Sequence, residues 1–313
     1  MLAISTSWKS KEATNGDTFI ELLEGFDITG IELEYRINEV LFRQMREALK
    51  RSDLKVVSIH NYFPIPTILP HSKGGGDLFL LSHTDKDERQ KAIQMTISSM
   101  EYASDLGTKV VVLHCGYVDM DTELNLLHHY WETNQIHSKE AQVFIARKLK
   151  ERDYLKPRHL DSLLFSLDRL IHIAEKQNLM LGIENRYHYN ELPGLEDFEI
   201  LFTEFEGGPL GYWHDTGHAH ANEILTIIPS QALLKTYSDC LIGVHLHDAI
   251  GLDDHLAPGT GTVDFKGIKS YLNKNTLLVI ELKPGTPDLK VSQSIRYIRE
   301  NVMHLGFGTF ISL

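Results

Sequence analysis

Residues 209–220 read PLGYWHDTGHAH, in which a short apolar stretch is followed at once by three histidines and an aspartate. A brief apolar run of this kind is consistent with a strand of a parallel sheet. Histidine and aspartate are common metal ligands. The stretch therefore predicts a strand whose carboxyl end carries metal-binding groups, and the same combination recurs along the chain.

Eight short apolar runs, rich in β-branched residues, predict eight strands. They lie near residues 2–5, 30–35, 54–59, 109–113, 179–183, 210–213, 241–246 and 277–281. Apolar residues with helical spacing lie between them, most plainly at 87–106, 160–177 and 289–304. Eight alternating units without a linker favour an α/β fold, a single (β/α)8 TIM barrel over residues 1–313. A doubly wound open sheet is the alternative.

Composition narrows the class of protein. The 313-residue chain has a hydrophobic content of 42%, a formal net charge of −12 and two cysteines, which do not suggest a disulfide framework. No apolar run approaches the roughly 20 residues of a membrane span, and the start MLAISTSWKSKE lacks the apolar stretch of a signal peptide. We expect a cytoplasmic protein without a membrane partner. The negative charge disfavours nucleic acid as a partner without excluding it, and an oligomer is possible.

Two connections are long for a barrel. Residues 61–86 contain SKGGGD, and residues 116–159, the insertion after strand four, contain the basic run RKLKERDYLKPR. Long connections are often lids or binding loops. SKGGGD lacks the GK[ST] of a phosphate-binding loop, so we interpret it as a flexible connector. We interpret the basic run as a solvated helix end.

The carboxyl ends of the strands form the active site of a TIM barrel. Six of the eight predicted strands end in a histidine or a carboxylate. With the loop after strand seven, the set is His60, His114, Glu184, Asp215, His218, His245, Asp253, His255 and Glu281. Carboxylates gathered in one place repel one another, and a divalent cation compensates for them. The sequence predicts a divalent metal centre, and a structural network of polar residues is the alternative.

Further polar residues lie beside these positions. Glu32 and Glu34 lie in the second predicted strand, where a charge needs a partner, which could be Arg36 or a substrate hydroxyl. Arg186 could bind substrate or form an ion pair at the rim of the barrel. His247 alternates with His245 and could share its face. The glycines and proline after strand seven predict a shaped turn that directs Asp253 and His255 back into the mouth of the barrel.

Two segments, HDTGHAH (214–220) and HLHDAIGLDDHLAPGTGTVDF (245–265), carry a specific resemblance. They resemble the xylose isomerase-like TIM barrels, which include sugar-phosphate isomerases and epimerases and the family 2 apurinic endonucleases. The resemblance extends from strand two to strand eight. It implies a metal-dependent enzyme, but the two branches of the family imply different reactions.

The ketose-epimerase branch implies one divalent metal ion, with two glutamates as the paired acid and base. The residues at the matching positions are Glu184, Asp215, His245 and Glu281, with His218 as a substrate contact. The endonuclease branch implies three zinc ions. The matching ligand sets are His60, His114 and Glu184; Glu184, Asp215, His245 and Glu281; and His218, Asp253 and His255.

The chain departs from the endonuclease pattern at three places. It has His247 where that pattern has asparagine, Gly217 where the pattern has cysteine, and the bulky Asn185-Arg186-Tyr187 where the pattern is small and glycine-rich. The segments at the mouth are also mostly acidic or histidine-rich, whereas DNA binding needs basic groups. These features favour a small substrate.

We therefore favour a metal-dependent isomerase or epimerase of a small sugar, sugar phosphate or polyol, with Glu184 and Glu281 as catalytic residues. Substrate contacts are expected from Arg186, His218, His247 and Glu34. Zinc and manganese are the preferred metals, with one to three ions, although the mixed ligands also suit cobalt or iron. A zinc-dependent apurinic endonuclease is the alternative, and a binding protein on a degenerate barrel is a third, less favoured hypothesis.

Overall fold

Eight parallel strands close into a barrel in a computed structural model that describes residues 1–66, 69–70, 73–229 and 231–303. Each strand pairs with the next along the chain, and the last pairs with the first. The barrel strands are β1 (Leu2–Ser5), β2 (Gly30–Leu33), β3 (Lys55–His60), β4 (Val110–Leu113), β5 (Met180–Glu184), β6 (Leu210–Asp215), β7 (Leu241–Leu246) and β10 (Leu277–Ile280). The predicted TIM barrel is confirmed, and the open-sheet alternative is wrong.

Helices surround the barrel on its outer face. They are α1 (Gly16–Glu24), α2 (Glu39–Leu49), α3 (Lys86–Leu106), α4 (Leu124–Glu132), α5 (Lys139–Gln177), α6 (Leu195–Glu204), α7 (Thr216–Ile224), α8 (Ala232–Tyr237), α9 (Phe265–Lys269) and α10 (Asp288–Asn301). The predicted helix 87–106 matches α3, and 289–304 matches α10 as far as Asn301; residue 304 lies outside the described residues. In the part of the chain that the structure describes, no helix is both long and apolar enough to cross a membrane.

The insertion after strand four is largely helical, which corrects the expectation of a long loop. It contains α4 and the first half of α5, and the predicted helix 160–177 is only the second half of α5. The basic run lies inside α5, where Lys148 and Arg152 are buried in ion pairs, so it is not a solvated helix end. Leu127 of α4 and Phe144 of α5 belong to a small hydrophobic cluster that includes Tyr189 from the connection after β5. This packing fixes the insertion against a loop that borders the mouth.

The lower part of the barrel interior is filled by one large side chain. Trp213 is fully buried in a cluster with short apolar residues such as Ala3 and Val112. A Cβ at Gly243 would lie only 2.1 Å from the indole ring, so glycine is needed there. The ring contacts that of His245 edge-on, with centroids 5.1 Å apart. Trp213 thus forms an apolar floor beneath the strand ends.

The loop after β7 folds into a small antiparallel hairpin of β8 (Asp248–Ile250) and β9 (Asp253–Leu256). The carboxylate of Asp248 accepts hydrogen bonds from the backbone N–H groups of Gly259, Gly261 and Val263 at 2.8–3.0 Å. A side chain at Gly261 would collide with the Ala249 carbonyl. The predicted shaped turn is therefore confirmed, and Asp248 holds it together.

Candidate metal centre

Four side chains from the ends of neighbouring strands meet above Trp213. We call Glu184, Asp215, His245 and Glu281 the buried quartet; each can offer a ligand atom, and these atoms lie within 4.8 Å of one another. Nδ1 of His245 lies 2.8 Å from Glu184 Oε1, 3.1 Å from Glu281 Oε2 and 3.8 Å from Asp215 Oδ2. All four residues are at most 4% exposed. The structure thus brings together the set that the epimerase branch implies.

A fifth residue determines how His245 presents its ring. Nε2 of His245 lies 3.1 Å from both carboxylate oxygens of Glu32, which also accepts a 2.7 Å hydrogen bond from the Ser58 hydroxyl. A carboxylate of this kind fixes the proton on the ring nitrogen that it contacts. Nδ1 faces the carboxylates of the quartet, and it would offer its lone pair to a cation that displaces the proton from it. The sequence analysis left open which groups pair with the charges on β2, and the partner of Glu32 is His245.

The pKa shifts within the quartet indicate that its buried carboxylates need a positive charge beside them. Burial alone would raise the pKa of Glu184, but the imidazoles of His245 and His114 hold it well below its usual range. Burial would likewise raise the pKa of Glu281, and again His245 lowers it. In return, carboxylates led by Glu281 raise the pKa of His245 well above its ordinary value, against the effect of burial. Three carboxylate oxygens and one imidazole nitrogen suit a divalent cation at this place.

The second oxygen of Glu184 faces two further histidines. Glu184 Oε2 lies 2.8 Å from His114 Nε2 and 3.2 Å from His60 Nε2. Nδ1 of His114 lies 3.0 Å from the carboxylate of Asp77, which belongs to the SKGGGD segment. This segment is therefore part of the site, which corrects its interpretation as a flexible connector.

A third group lies nearer to solvent. We call His218, Asp254 and His255 the rim triad; its ligand-capable atoms also lie within 4.8 Å of one another. Asp253 was predicted to point into the mouth, but its side chain is 64% exposed and pairs with Lys283 at 3.0 Å. Side chains alternate along a regular strand, and His255 breaks this alternation because its φ is +54°. Asp254 takes the inward position instead.

His247 uses both ring nitrogens inside the protein. Nε2 lies 2.8 Å and 3.0 Å from the two carboxylate oxygens of Asp215, and Nδ1 accepts a 2.8 Å hydrogen bond from the N–H of His255. A Cβ at Gly217 would lie 2.2 Å from the His247 ring. The departures from the endonuclease pattern at 217 and 247 are therefore coupled, since glycine makes room for the histidine. The ring orients Asp215, and a substrate contact of His247 stays a prediction.

Arg186 and Glu34, two other predicted substrate contacts, are held in ion pairs. Nη2 of Arg186 lies 2.6 Å from Asp77 and 2.7 Å from Glu191. Arg186 therefore forms the ion pair at the rim that the sequence analysis gave as one of two alternatives. Glu34 is fully buried and pairs with Arg36 Nη1 at 2.7 Å. Their contact with a substrate stays a prediction.

A cavity of about 210 Å³ opens beside Glu281. Most of its lining residues are polar or charged, and they include Ser7, Tyr35, Arg36, Asp253, Asp254, His255 and Lys283. Hydroxyl, carboxylate and imidazole groups at such a surface can form hydrogen bonds with a hydroxylated ligand.

Four contributors were missed by the sequence analysis as site residues: Glu32, Asp77, Glu191 and Asp254. Glu32 was noted as a strand charge, but no signal showed that it faces His245. Asp254 is adjacent to Asp253, which the sequence analysis had placed in the mouth of the barrel instead. Asp77 and Glu191 lie in irregular connections, where no periodicity indicates side-chain direction.

The fold and site together define the class of protein: a parallel barrel with acidic and histidine side chains gathered at the carboxyl ends of its strands. The chain belongs to the xylose isomerase-like TIM barrel family, whose sequence model matches residues 19–301. An uncharacterized protein of Methanocaldococcus jannaschii, MJ1311, is 25% identical over 181 residues, which are 56% of this chain and 50% of that protein. This chain thus matches half the length of that relative.

Solved structures of similar fold include two sugar epimerases or epimerase-like proteins. One is a D-tagatose 3-epimerase-like protein, with 18% identity, a TM-score of 0.65 and 96% of each chain covered. Another is the 3-keto-D-glucoside 4-epimerase YcjR from E. coli, with 15% identity, a TM-score of 0.66, and coverage of 96% of this chain and 98% of that one. The IolI protein with a bound zinc atom has 16% identity and a TM-score of 0.61, with 96% of this chain and 95% of that chain covered.

Proposed function

We propose that this protein is a metal-dependent isomerase or epimerase of a small carbohydrate. The observation that carries the proposal is the arrangement around His245 Nδ1, where Glu184, Glu281 and Asp215 converge in a buried site. Proton transfer at a carbon beside a carbonyl needs a base, an acid and an electrophile. Two glutamates of one cluster can supply the first two roles.

The buried quartet would hold the divalent ion, which supplies polarisation of a substrate carbonyl when bound. Glu184 and Glu281 take a proton from the neighbouring carbon and return one to it. His245 and Asp215 fix the geometry, since Glu32 orients the first and His247 orients the second. Trp213 closes the site from below and limits access of water from that side.

Charge at the mouth favours an uncharged substrate. The basic side chains near it already have carboxylate partners: Arg36 with Glu34, Arg186 with Asp77, and Lys283 with Asp253. A basic group that is neutralised in this way offers little net attraction to a phosphate. A polyol instead needs hydroxyl and carboxylate partners, such as those that line the cavity beside Glu281.

One observation favours the zinc phosphodiesterase as a second candidate. His60 and His114 flank Glu184 on one side of the buried quartet, and the rim triad lies on another side. These groups could hold additional ions, and phosphodiesterases use several metals to stabilise attacking and leaving oxygens. The number of ions per chain is therefore the quantity that separates the two candidates most directly.

The test combines metal analysis with substrate assays on the full chain. Protein loaded with Zn²⁺ or Mn²⁺ is incubated in deuterated water with ketoses, their phosphates and, separately, a duplex with an abasic site. We expect about one tightly bound ion, and deuterium exchange at a carbon beside the carbonyl that falls about 100- to 10,000-fold in Glu281→Gln. Strand cleavage that is lost in the same variant, without any sugar exchange, would establish the phosphodiesterase instead.

A further inference from the structure

We propose that Asp77 is a positioning residue that fixes the ring of His114, so that its Nε2 faces the metal centre. The inference rests on the proposed metal centre, and it gives a role to the glycine-rich segment SKGGGD. Asp77 itself reaches no atom of the buried quartet; it acts through His114, whose Nε2 lies 2.8 Å from Glu184 Oε2.

The first step is the hydrogen bond between the two side chains. Asp77 Oδ2 lies 3.0 Å from His114 Nδ1. Nε2 of the same ring lies 2.8 Å from Glu184 Oε2. An ionised carboxylate only accepts hydrogen bonds, so contact with Asp77 holds the ring in the orientation in which Nε2 donates to Glu184. Carboxylate–histidine pairs of this kind orient ligands and increase their basicity at metal sites.

The second step is the anchoring of Asp77. Its Oδ2 accepts a 2.6 Å hydrogen bond from Arg186 Nη2, which also donates to Glu191 Oε1 at 2.7 Å. Asn222 of α7 donates to the backbone carbonyl of Arg186 at 2.8 Å. A chain of alternating charges therefore runs from the connection after β5 to His114. On this interpretation Arg186 serves the site by holding Asp77.

The third step is the backbone that carries Asp77. A Cβ at Gly76 would lie 2.3 Å from His114 Nδ1, whereas a Cβ at Gly75 would meet nothing within 4 Å. The segment can approach the ring this closely only because position 76 is glycine. The two neighbouring glycines thus provide a matched pair, one in contact with the histidine and one in open space.

A purely structural role would stabilise the fold without affecting the contact between His114 and Glu184. The two roles differ in the hydrogen bond that Nε2 of His114 forms with Glu184, which ¹⁵N NMR of histidine-labelled protein reports. The measurement uses the metal-free full-length chain. We expect the Nε2 resonance to show this hydrogen bond in the wild-type chain and to lose it in Asp77→Ala and Asp77→Asn.

Zinc affinity provides the second readout, measured by competition with a chromophoric chelator. We expect Asp77→Asn and Asp77→Ala to bind Zn²⁺ about 10- to 100-fold more weakly. The control is Asp253→Asn, which removes one exposed carboxylate near the same mouth and should leave the affinity unchanged. Gly76→Ala should weaken zinc binding as Asp77→Ala does, and Gly75→Ala should not; Glu191 still pairs with Arg186 in all of these variants.

The outcomes separate this inference from the proposed function. A wild-type chain without a hydrogen bond at His114 Nε2, or Asp77 variants in which that hydrogen bond and the zinc affinity are unchanged, would overturn the role of Asp77. A wild-type chain that has the hydrogen bond but binds neither zinc nor manganese would overturn the metal centre while retaining the orienting contact.

Discussion

The buried quartet and the rim triad use the same donor types but differ in their access to water. Members of the quartet are at most 4% exposed, whereas the side chains of Asp254 and His255 in the triad are 25% and 26% exposed. Water can screen and solvate charges at the rim but not those below it. The comparison teaches that donor identity alone does not decide where a cation is required. We therefore expect that burial makes a cation necessary at the quartet and that exposure makes one dispensable at the triad.

The largest expected effect comes from removing a charge from the quartet. Glu184→Gln and Glu281→Gln should each lower metal occupancy, because amide oxygen is a weaker ligand than carboxylate for a divalent cation. Turnover should fall about 100- to 10,000-fold, because each glutamate also transfers a proton in the proposed reaction. Elemental analysis and the deuterium-exchange assay measure the two losses. Full retention of metal with native affinity in both variants would show that the quartet is not a shared metal site.

Metal removal should lower the thermal stability of the protein, and this loss should depend on the buried quartet and not on the rim triad. An ion that binds only the folded chain stabilises it by about 2.7 kcal/mol when its free concentration is 100 times its Kd. A chelator should therefore lower the melting temperature of the wild-type chain, as calorimetry would detect. The shift should be much smaller in Glu281→Gln and should persist in Asp254→Asn. Equal shifts in these two variants would contradict the distinction between quartet and triad.

The pH dependence of metal binding should follow the protonation of His245. Neighbouring carboxylates raise its pKa above the ordinary value, so the proton stabilises the metal-free fold at low pH. This contribution is complete below the unfolded pKa of about 6.5 and is lost as pH rises through the folded pKa. Metal must displace the proton, so affinity should rise up to about tenfold per pH unit above neutrality. Calorimetry in buffers of different ionisation enthalpy would count the released protons; none released at neutral pH would contradict this.

The sequence was sufficient for the barrel and for placing the four residues of the quartet at one face, because both follow from regular structure; the family resemblance was needed to single them out as one set. Strand ends of a parallel barrel lie at one face, so Glu184 and Glu281 could be assigned to one site from their places on strands. Asp77 could not be assigned, since it lies in an irregular connection whose path depends on long-range packing against His114. The adjacent residues Asp254 and His255 both face the site because the positive φ of His255 breaks the alternation of the strand, and a histidine in the sequence does not reveal this conformation.

The smallest expected effect separates two adjacent aspartates at the rim. Asp254 lies 3.0 Å from His255 Nδ1 and 3.9 Å from His218 Nε2, while Asp253 contacts Lys283 at the surface. Asp254→Asn should raise KM several-fold, because the carboxylate that lies beside His255 and His218 loses its charge, and should leave the ion of the quartet in place. Asp253→Asn should change neither quantity, since an exposed ion pair contributes only about 0–1 kcal/mol.

These two variants have the same change in charge, so any difference between them reports side-chain direction and not net charge. KM and kcat are measured with the sugar that exchanges deuterium, and the metal content of each variant is determined in parallel. If Asp253→Asn raises KM as much as Asp254→Asn does, the rim acts only through its overall charge. If Asp254→Asn instead removes the quartet ion, the rim triad and the buried quartet form one site, and solvent exposure does not divide them.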